Sequence, residues 1–254
     1  MKFPLDVPVK IVQLGAGGTG AHAAPHLYRL LYSLDRPVRY VLCDGDKVEP
    51  KNLIRQNFAP MDLEENKAKV ISERYSTVFG METEYVSSFV EDLDTLMELI
   101  TPNTWAEKHY RWNHVSEMVI LLGCVDNNKS RQLCHQAFMK SKDLIYIDSG
   151  NEEITGQIVC GVRRNHHTMS KPVGSAYPGV LKTEDKFPSE MSCAEAAQAD
   201  PQSMAANITA ATAMVDMVYN ILAHGECVTR QTIFSTRTVQ MQTVVSKSQR
   251  RKAA

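Results

Sequence analysis

Gly15 to Gly20 reads GAGGTG, in which Gly15, Gly17 and Gly20 fit G-x-G-x-x-G and Gly18 is an extra glycine. Glycines at this spacing allow a tight turn and let backbone N–H groups reach phosphate oxygens. The helix that follows points its positive end at the same place. Alone, such a loop fits either a phosphate ligand or a tight strand-to-helix turn with no ligand. A second segment, CDGDKVEPKNLIRQNF from Cys43 to Phe58, adds Asp44, Asn52 and Arg55, and Lys67 follows one helix later. Arginine offers a rigid fork of donors to a phosphate, and lysine a compact point charge. Two cations and an amide converging on a glycine loop would neutralise a triphosphate and stabilise displacement at one phosphorus. Hydride transfer from a dinucleotide has no need of that set.

Two carboxylates complete the pattern. Asp44 ends the second expected strand, where a doubly wound sheet presents a ribose-binding acid; its other reading is a turn cap. Asp126, in GCVDNNKSR, follows another apolar run. Beside a polyphosphate it would act as the catalytic acid and as a metal residue, meeting Mg²⁺ through phosphate oxygens. Its alternative role is to cap a helix starting near Asn127. Arg131 reads as a helix-face residue, placed to orient Asp126.

The elements that must position these residues alternate. Val9 to Leu14 reads as a buried parallel strand and Ala21 to Leu34 as a helix, with Pro25 in its first turns. Arg39 to Cys43 is the second strand, Glu64 to Val78 a helix, and Glu82 to Val86 the third strand. Asp92 to Ile100 is helical, and Thr101 to Ser116 has no clear period. Glu117 to Leu122 is a strand, Ser130 to Ser141 a helix and Leu144 to Asp148 a strand. Then the pattern changes. Glu153 to Arg163 and Thr232 to Val245 read as longer strands, with a loop at His166 to Pro188 and an apolar helix over Ser203 to Leu222 between them. The expected fold is α/β, a Rossmann-like, mostly parallel sheet extended by antiparallel C-terminal strands. Residues 1–150 form the nucleotide-binding half. Residues 151–246 supply a crossover loop, a packing helix and antiparallel strands, and residues 247–254 are a basic, disordered tail.

Composition narrows the class. Of 254 residues, 43% are apolar and 22% charged, as in an ordinary soluble protein, and the net charge of -1 disfavours a nucleic-acid binder. No stretch approaches a membrane span, and the amino terminus reads as a strand, not a signal peptide. Six scattered cysteines form no C-x-x-C pair, which argues for a reducing, cytoplasmic setting without structural zinc. The adjacent His166 and His167 read as solvated polar surface more than as a metal site.

The string D-G-D-x-V-x-x-x-N-L-x-R-Q, preceded by GxGGTG and followed by Lys67-Ala68 and C-x-D-N-x-x-x-R, resembles the ThiF/MoeB/HesA family and its ubiquitin-activating relatives. SCAE at Ser192 to Glu195 matches a late element of that family. The chain length and DPQSMAANI at Asp200 to Ile208 look most like the ThiF-related family of the PRTRC plasmid cassette. The resemblance implies a single adenylation domain over residues 1–246 that uses ATP and Mg²⁺. Its substrate would be the C-terminal glycine carboxylate of a ubiquitin-like β-grasp partner, with pyrophosphate released. Carried over by position, Gly15, Gly17, Gly18, Gly20 and Asp44 would hold the nucleotide, Asn52, Arg55 and Lys67 the phosphates, and Asp126 would be the essential acid. The resemblance also implies a homodimer.

Many relatives deliver an arginine from an amino-terminal helix to the partner subunit. Here the first strand starts at Val9, so another cation, Arg29 or Arg36, takes that part, or catalysis is weakened. Cys193 is the candidate thiol for a thioester; its other reading is a small buried residue at a helix start. Cys43 and Cys124 read as core. Two further functions stay open: an ATP-binding interaction module without turnover in a plasmid-encoded system, and an NAD-dependent oxidoreductase, which leaves Arg55, Lys67 and Asp126 without a task.

Overall fold

A computed structural model of the chain describes residues 1–104, 115–190 and 202–243. Cys193, the Ser192–Glu195 element and the basic tail lie outside the described residues. Among the described residues, nine strands form one sheet in the order β3-β2-β1-β4-β5-β6-β8-β9, with β7 paired to β6. Strands β1 (Val9–Leu14), β2 (Val38–Cys43), β3 (Glu84–Val86), β4 (Met118–Gly123) and β5 (Leu144–Asn151) run parallel. Strands β6 (Thr155–Arg164), β7 (His167–Ser170), β8 (Gln231–Ser235) and β9 (Gln240–Thr243) continue it antiparallel. The expected mostly parallel sheet with an antiparallel extension is what forms.

Helices α1 (Gly18–Tyr32), α2 (Lys67–Phe79) and α6 (Met204–Ala223) cover one face, and α3 (Leu93–Ile100), α4 (Asn128–Lys140) and the single turn α5 (Val173–Ala176) the other. Alternation along β1 divides its apolar residues between the two cores. Ile11 packs with Leu27, Tyr28 and Met214, whereas Val12 packs with Leu96, Leu133 and Phe138. Local chemistry sets the helix ends. Asn66 accepts from the Lys69 N–H at 3.0 Å to start α2, and Gly80, at φ +63°, ends it. The Ser203 hydroxyl accepts from the Ala206 N–H to start α6.

Four expectations need correction. Helix α1 spans Gly18–Tyr32, starting three residues before the expected Ala21, so Pro25 lies two turns in. The expected strand from Thr232 is a hairpin, β8 and β9, turned at Val239 with φ +52°. The stretch expected to be a loop after His166 contains β7, joined to β6 through Asn165 and His166, both at positive φ. His166 thus belongs to a tight turn. Arg36 is no substitute catalytic cation: its guanidinium donates to the carbonyls of Pro4, Val7 and Leu222 and is buried. Arg29 lies over the Phe79 ring.

Candidate functional site

Strand register decides which loops meet. Leu14 is paired with Cys43 on one side and Gly123 on the other, so the loops after β1, β2 and β4 leave the sheet at one level. Because β2 and β4 flank β1, its two crossovers diverge there, and a crevice opens between the β1 and β4 loops. It forms a cleft of about 300 Å³ that Gly15, Gly17, Gly18, Asp44, Asn52, Arg55, Lys67 and Asp126 all line. Of the expected nucleotide residues among those described, Gly20 alone is not on its wall.

The glycines divide by task. Gly15 has φ +94°, and a Cβ there would stand 2.4 Å from the Cys124 carbonyl oxygen. At Gly20 a Cβ would stand 2.1 Å from the Gly15 carbonyl oxygen, and at Gly18 it would strike the Asn207 amide. Gly17 faces the cleft, with Gln56 the nearest side chain to such a Cβ, at 3.7 Å. No side chain caps the start of α1 and no acid occupies its first turn, so its N–H groups remain for an anion. Buried Gln13 supports the turn, donating to the Gly15 carbonyl at 2.9 Å while accepting from Tyr40 at 2.6 Å.

Asp44 is both cap and cleft residue. Its carboxylate accepts from the Ala16 N–H at 2.6 Å and the Asp46 N–H at 2.8 Å, tying the glycine turn to the end of β2. Burial pushes its pKa up to about 6, against the opposing pull of Lys67. Lys67 is the first residue of α2; its ammonium is buried and meets Asp46 at 2.8 Å. Asn52, also buried, accepts from the Glu49 N–H and closes a short 3-10 helix, Pro50–Ile54. That helix presents Arg55, whose guanidinium reaches the Gln202 side-chain oxygen at 3.4 Å. Among the described residues no carboxylate pairs with Arg55.

Asp126 is exposed on the opposite wall. The helix cap is Asn127, which accepts from the Ser130 N–H at 2.8 Å, so Asp126 is free of the capping role. Arg131 is no surface residue. It is buried and donates to the Val125 carbonyl at 2.6 Å, the Ser149 carbonyl at 3.1 Å and Asp148 at 3.3 Å, fixing the residue before Asp126 against β5. Asp148 is enclosed; burial raises its pKa, while Arg131 and the Tyr146 hydroxyl oppose that shift.

Four amide side chains were missed. Gln56 carries a buried side-chain oxygen, and Asn207 a buried side-chain nitrogen, with no hydrogen-bond partner. Gln56 lines the cleft; Asn207 accepts from Asn151 at 2.7 Å, and Asn151 is on the cleft wall beside Thr19. Gln202 joins this group to Arg55. Gln56 had one available signal, its place beside Arg55; the others had none locally.

The donor set fits a nucleoside triphosphate. A glycine turn, an uncapped helix start, four cationic side chains (Lys47, Lys51, Arg55 and Lys67) and an orphaned buried amide face one cleft, and Leu14, Phe89, Val90 and Val125 give it an apolar wall. Among the described residues no three His, Cys, Asp or Glu side chains converge as a metal cage.

Among solved structures, PaaA has a similar fold (TM-score 0.62, 16% identity), matched over 93% of this chain and 64% of PaaA. Escherichia coli MccB, solved with ATP (TM-score 0.61, 16% identity) and with AMPCPP and MccA (TM-score 0.60, 15% identity), is matched over 93% of this chain and 63% of MccB. This chain thus spans less than two thirds of the length of either protein. No curated protein matches the sequence significantly. Residues 8–253 match the ThiF family, and the chain belongs to that family.

Proposed function

We propose that this protein adenylates a carboxylate with ATP, and that the acceptor is the C-terminal glycine of a ubiquitin-like β-grasp protein. One observation carries the reading. The uncapped start of α1, Arg55, Lys67 and Asp126 line one cleft at the point where the sheet crossovers diverge. MccB, with a similar fold, was solved with ATP and with AMPCPP and MccA together, which supports use of ATP by this fold.

ATP, when bound, supplies an α-phosphorus open to attack and pyrophosphate as the leaving group. The chain supplies position and charge. The α1 N–H groups and Gly17 receive phosphate oxygens, and Asp44 holds the ribose hydroxyls with its remaining lone pairs. Asn52 and Arg55 hold the phosphate chain in line, and Lys67 adds positive charge from below. Asp126 would hold Mg²⁺, which would neutralise charge on the phosphate oxygens. No covalent nucleophile is needed for this step. The functional unit in this reading is a single adenylation domain over residues 1–246, acting as a homodimer in the cytoplasm; Cys193 becomes relevant only if a thioester follows.

Pyrophosphate–ATP exchange with purified protein, Mg²⁺ and β-grasp partners ending in glycine tests the proposal. Exchange should disappear in Asp126→Ala and persist in Cys193→Ala. Tight ATP binding without exchange for any partner would make the protein an ATP-binding module instead. Preference for a nicotinamide dinucleotide over ATP would make it an oxidoreductase.

A further inference from the structure

Away from the nucleotide cleft, two cysteines 67 positions apart in sequence bring their sulfurs within 3.8 Å. Cys160 stands inside β6 and is fully enclosed. Cys227 lies in the connection between α6 and β8. It lines a second cleft of about 230 Å³, bounded by Asp216, Met217, Asn220 and Thr229, and is 5% exposed. Its sulfur is therefore the solvent-side member of the pair. Sequence spacing offers no hint of the pairing, because α6 and the crossover segment lie between the two cysteines.

We propose that Cys160 and Cys227 form a peroxide-reactive dithiol, with Cys227 as the oxidised thiol and Cys160 as the thiol that resolves it. The Cys227 thiolate attacks one oxygen of hydrogen peroxide and the O–O bond breaks. The departing hydroxide takes up a proton and leaves as water, and Cys227 becomes a sulfenic acid. The Cys160 sulfur then attacks the Cys227 sulfur, the S–O bond breaks, and hydroxide leaves as water with the Cys160 proton. Two thiols and one peroxide give one disulfide and two waters.

Geometry supports each role. The S–S bond needs a separation of about 2 Å, so the sulfurs must approach by less than one methyl diameter. The irregular connection carrying Cys227, entered through Gly225 at φ +64°, can yield more readily than the central strand carrying Cys160. The hydrogen bond between the two sulfurs, and then burial, push the Cys160 thiol up. That same bond lowers Cys227, with Arg230 nearby acting in the same direction, so ionisation falls on the thiol facing the cleft. None of this depends on what the nucleotide cleft binds.

Peptide mapping of the folded, full-length protein after hydrogen peroxide treatment tests the assignment. Free thiols are alkylated under denaturing conditions before digestion. The expected product is a cross-linked peptide pair joining Cys160 to Cys227, with loss of two hydrogens per chain and reversal by dithiothreitol. In Cys160→Ser, Cys227 should be trapped by dimedone as a sulfenic acid; in Cys227→Ser, Cys160 should stay alkylatable. Peroxide-treated wild-type protein without the cross-linked pair would overturn the proposal, and needs no variant. So would Cys160 oxidation at an undiminished rate in Cys227→Ser.

Discussion

The loops after β2 and β4 leave the sheet at the same level and each delivers an aspartate to one cleft, but they hold it in opposite ways. Asp44 is built into the framework: two backbone N–H groups end on its carboxylate, and it is 7% exposed. Asp126 is exposed, and the helix cap beside it is Asn127. The framework of the β4 loop comes instead from Arg131, which grips the backbone one residue earlier. A carboxylate relieved of structural hydrogen bonds can be aimed at a ligand, whereas one that closes a turn is confined to a fixed contact. Position at the sheet edge brings both to the cleft; their hydrogen bonds separate their tasks.

The largest effect should come from Asp126→Ala, which is expected to lower pyrophosphate exchange by about 10²–10³-fold. Its unfolding free energy should stay within about 0.5 kcal/mol of wild type, because no described framework bond ends there. A large loss of stability would erase the contrast. Asp44→Ala should behave in the reverse sense in denaturant unfolding. It leaves two N–H groups without acceptors, Ala16 in the glycine turn and Asp46 after β2, a loss of about 2–3 kcal/mol.

A pH series sharpens the same contrast. With its folded pKa raised to about 6, above the ordinary carboxylate value, Asp44 binds its proton more tightly in the folded chain. Its contribution to stability is fully present below about pH 4 and is lost as pH rises through 6, about 3 kcal/mol. The stability of wild type relative to Asp44→Asn, measured by urea melts from pH 4 to 7, should fall accordingly. A difference that is flat across that range would show that burial does not govern this group. The smallest effect belongs to Arg55→Gln, for which calorimetry should show ATP binding weakened about tenfold, the loss of a charge-assisted contact. Unchanged affinity would place the phosphates elsewhere in the cleft.

Much of this arrangement was legible in the sequence. The bounds of β1 are as expected, because a six-residue apolar run ending in glycine has few other readings. Arg55, Lys67 and Asp126 follow directly from their places after strands and helix starts. Capping was less legible: Asp126 and Asn127 are adjacent and chemically similar, and only the backbone shows which one caps. The amides at Asn151, Asn207 and Gln202 lack any local signature. Asn151 ends β5, and α6 brings Asn207 and the preceding Gln202 to it by packing across α1 and β5, contacts between residues far apart in sequence. The hairpin of β8 and β9 was hidden because its turn uses Val239, a β-branched residue that ordinarily continues a strand.

The glycine turn bears on how the motif should be read across descendants of this fold. Gly15, Gly18 and Gly20 are hemmed in by neighbouring atoms of the chain itself, so purifying selection for folding alone would preserve them after any ligand was abandoned. Gly17, at φ -82° and with only the Gln56 amide at ordinary contact distance from an added Cβ, is not hemmed in that way. A lineage that drifted to alanine there while keeping the other three would record relaxed selection on the cleft with the scaffold intact. The second glycine of the pattern is thus the informative one for tracing when such a site falls out of use.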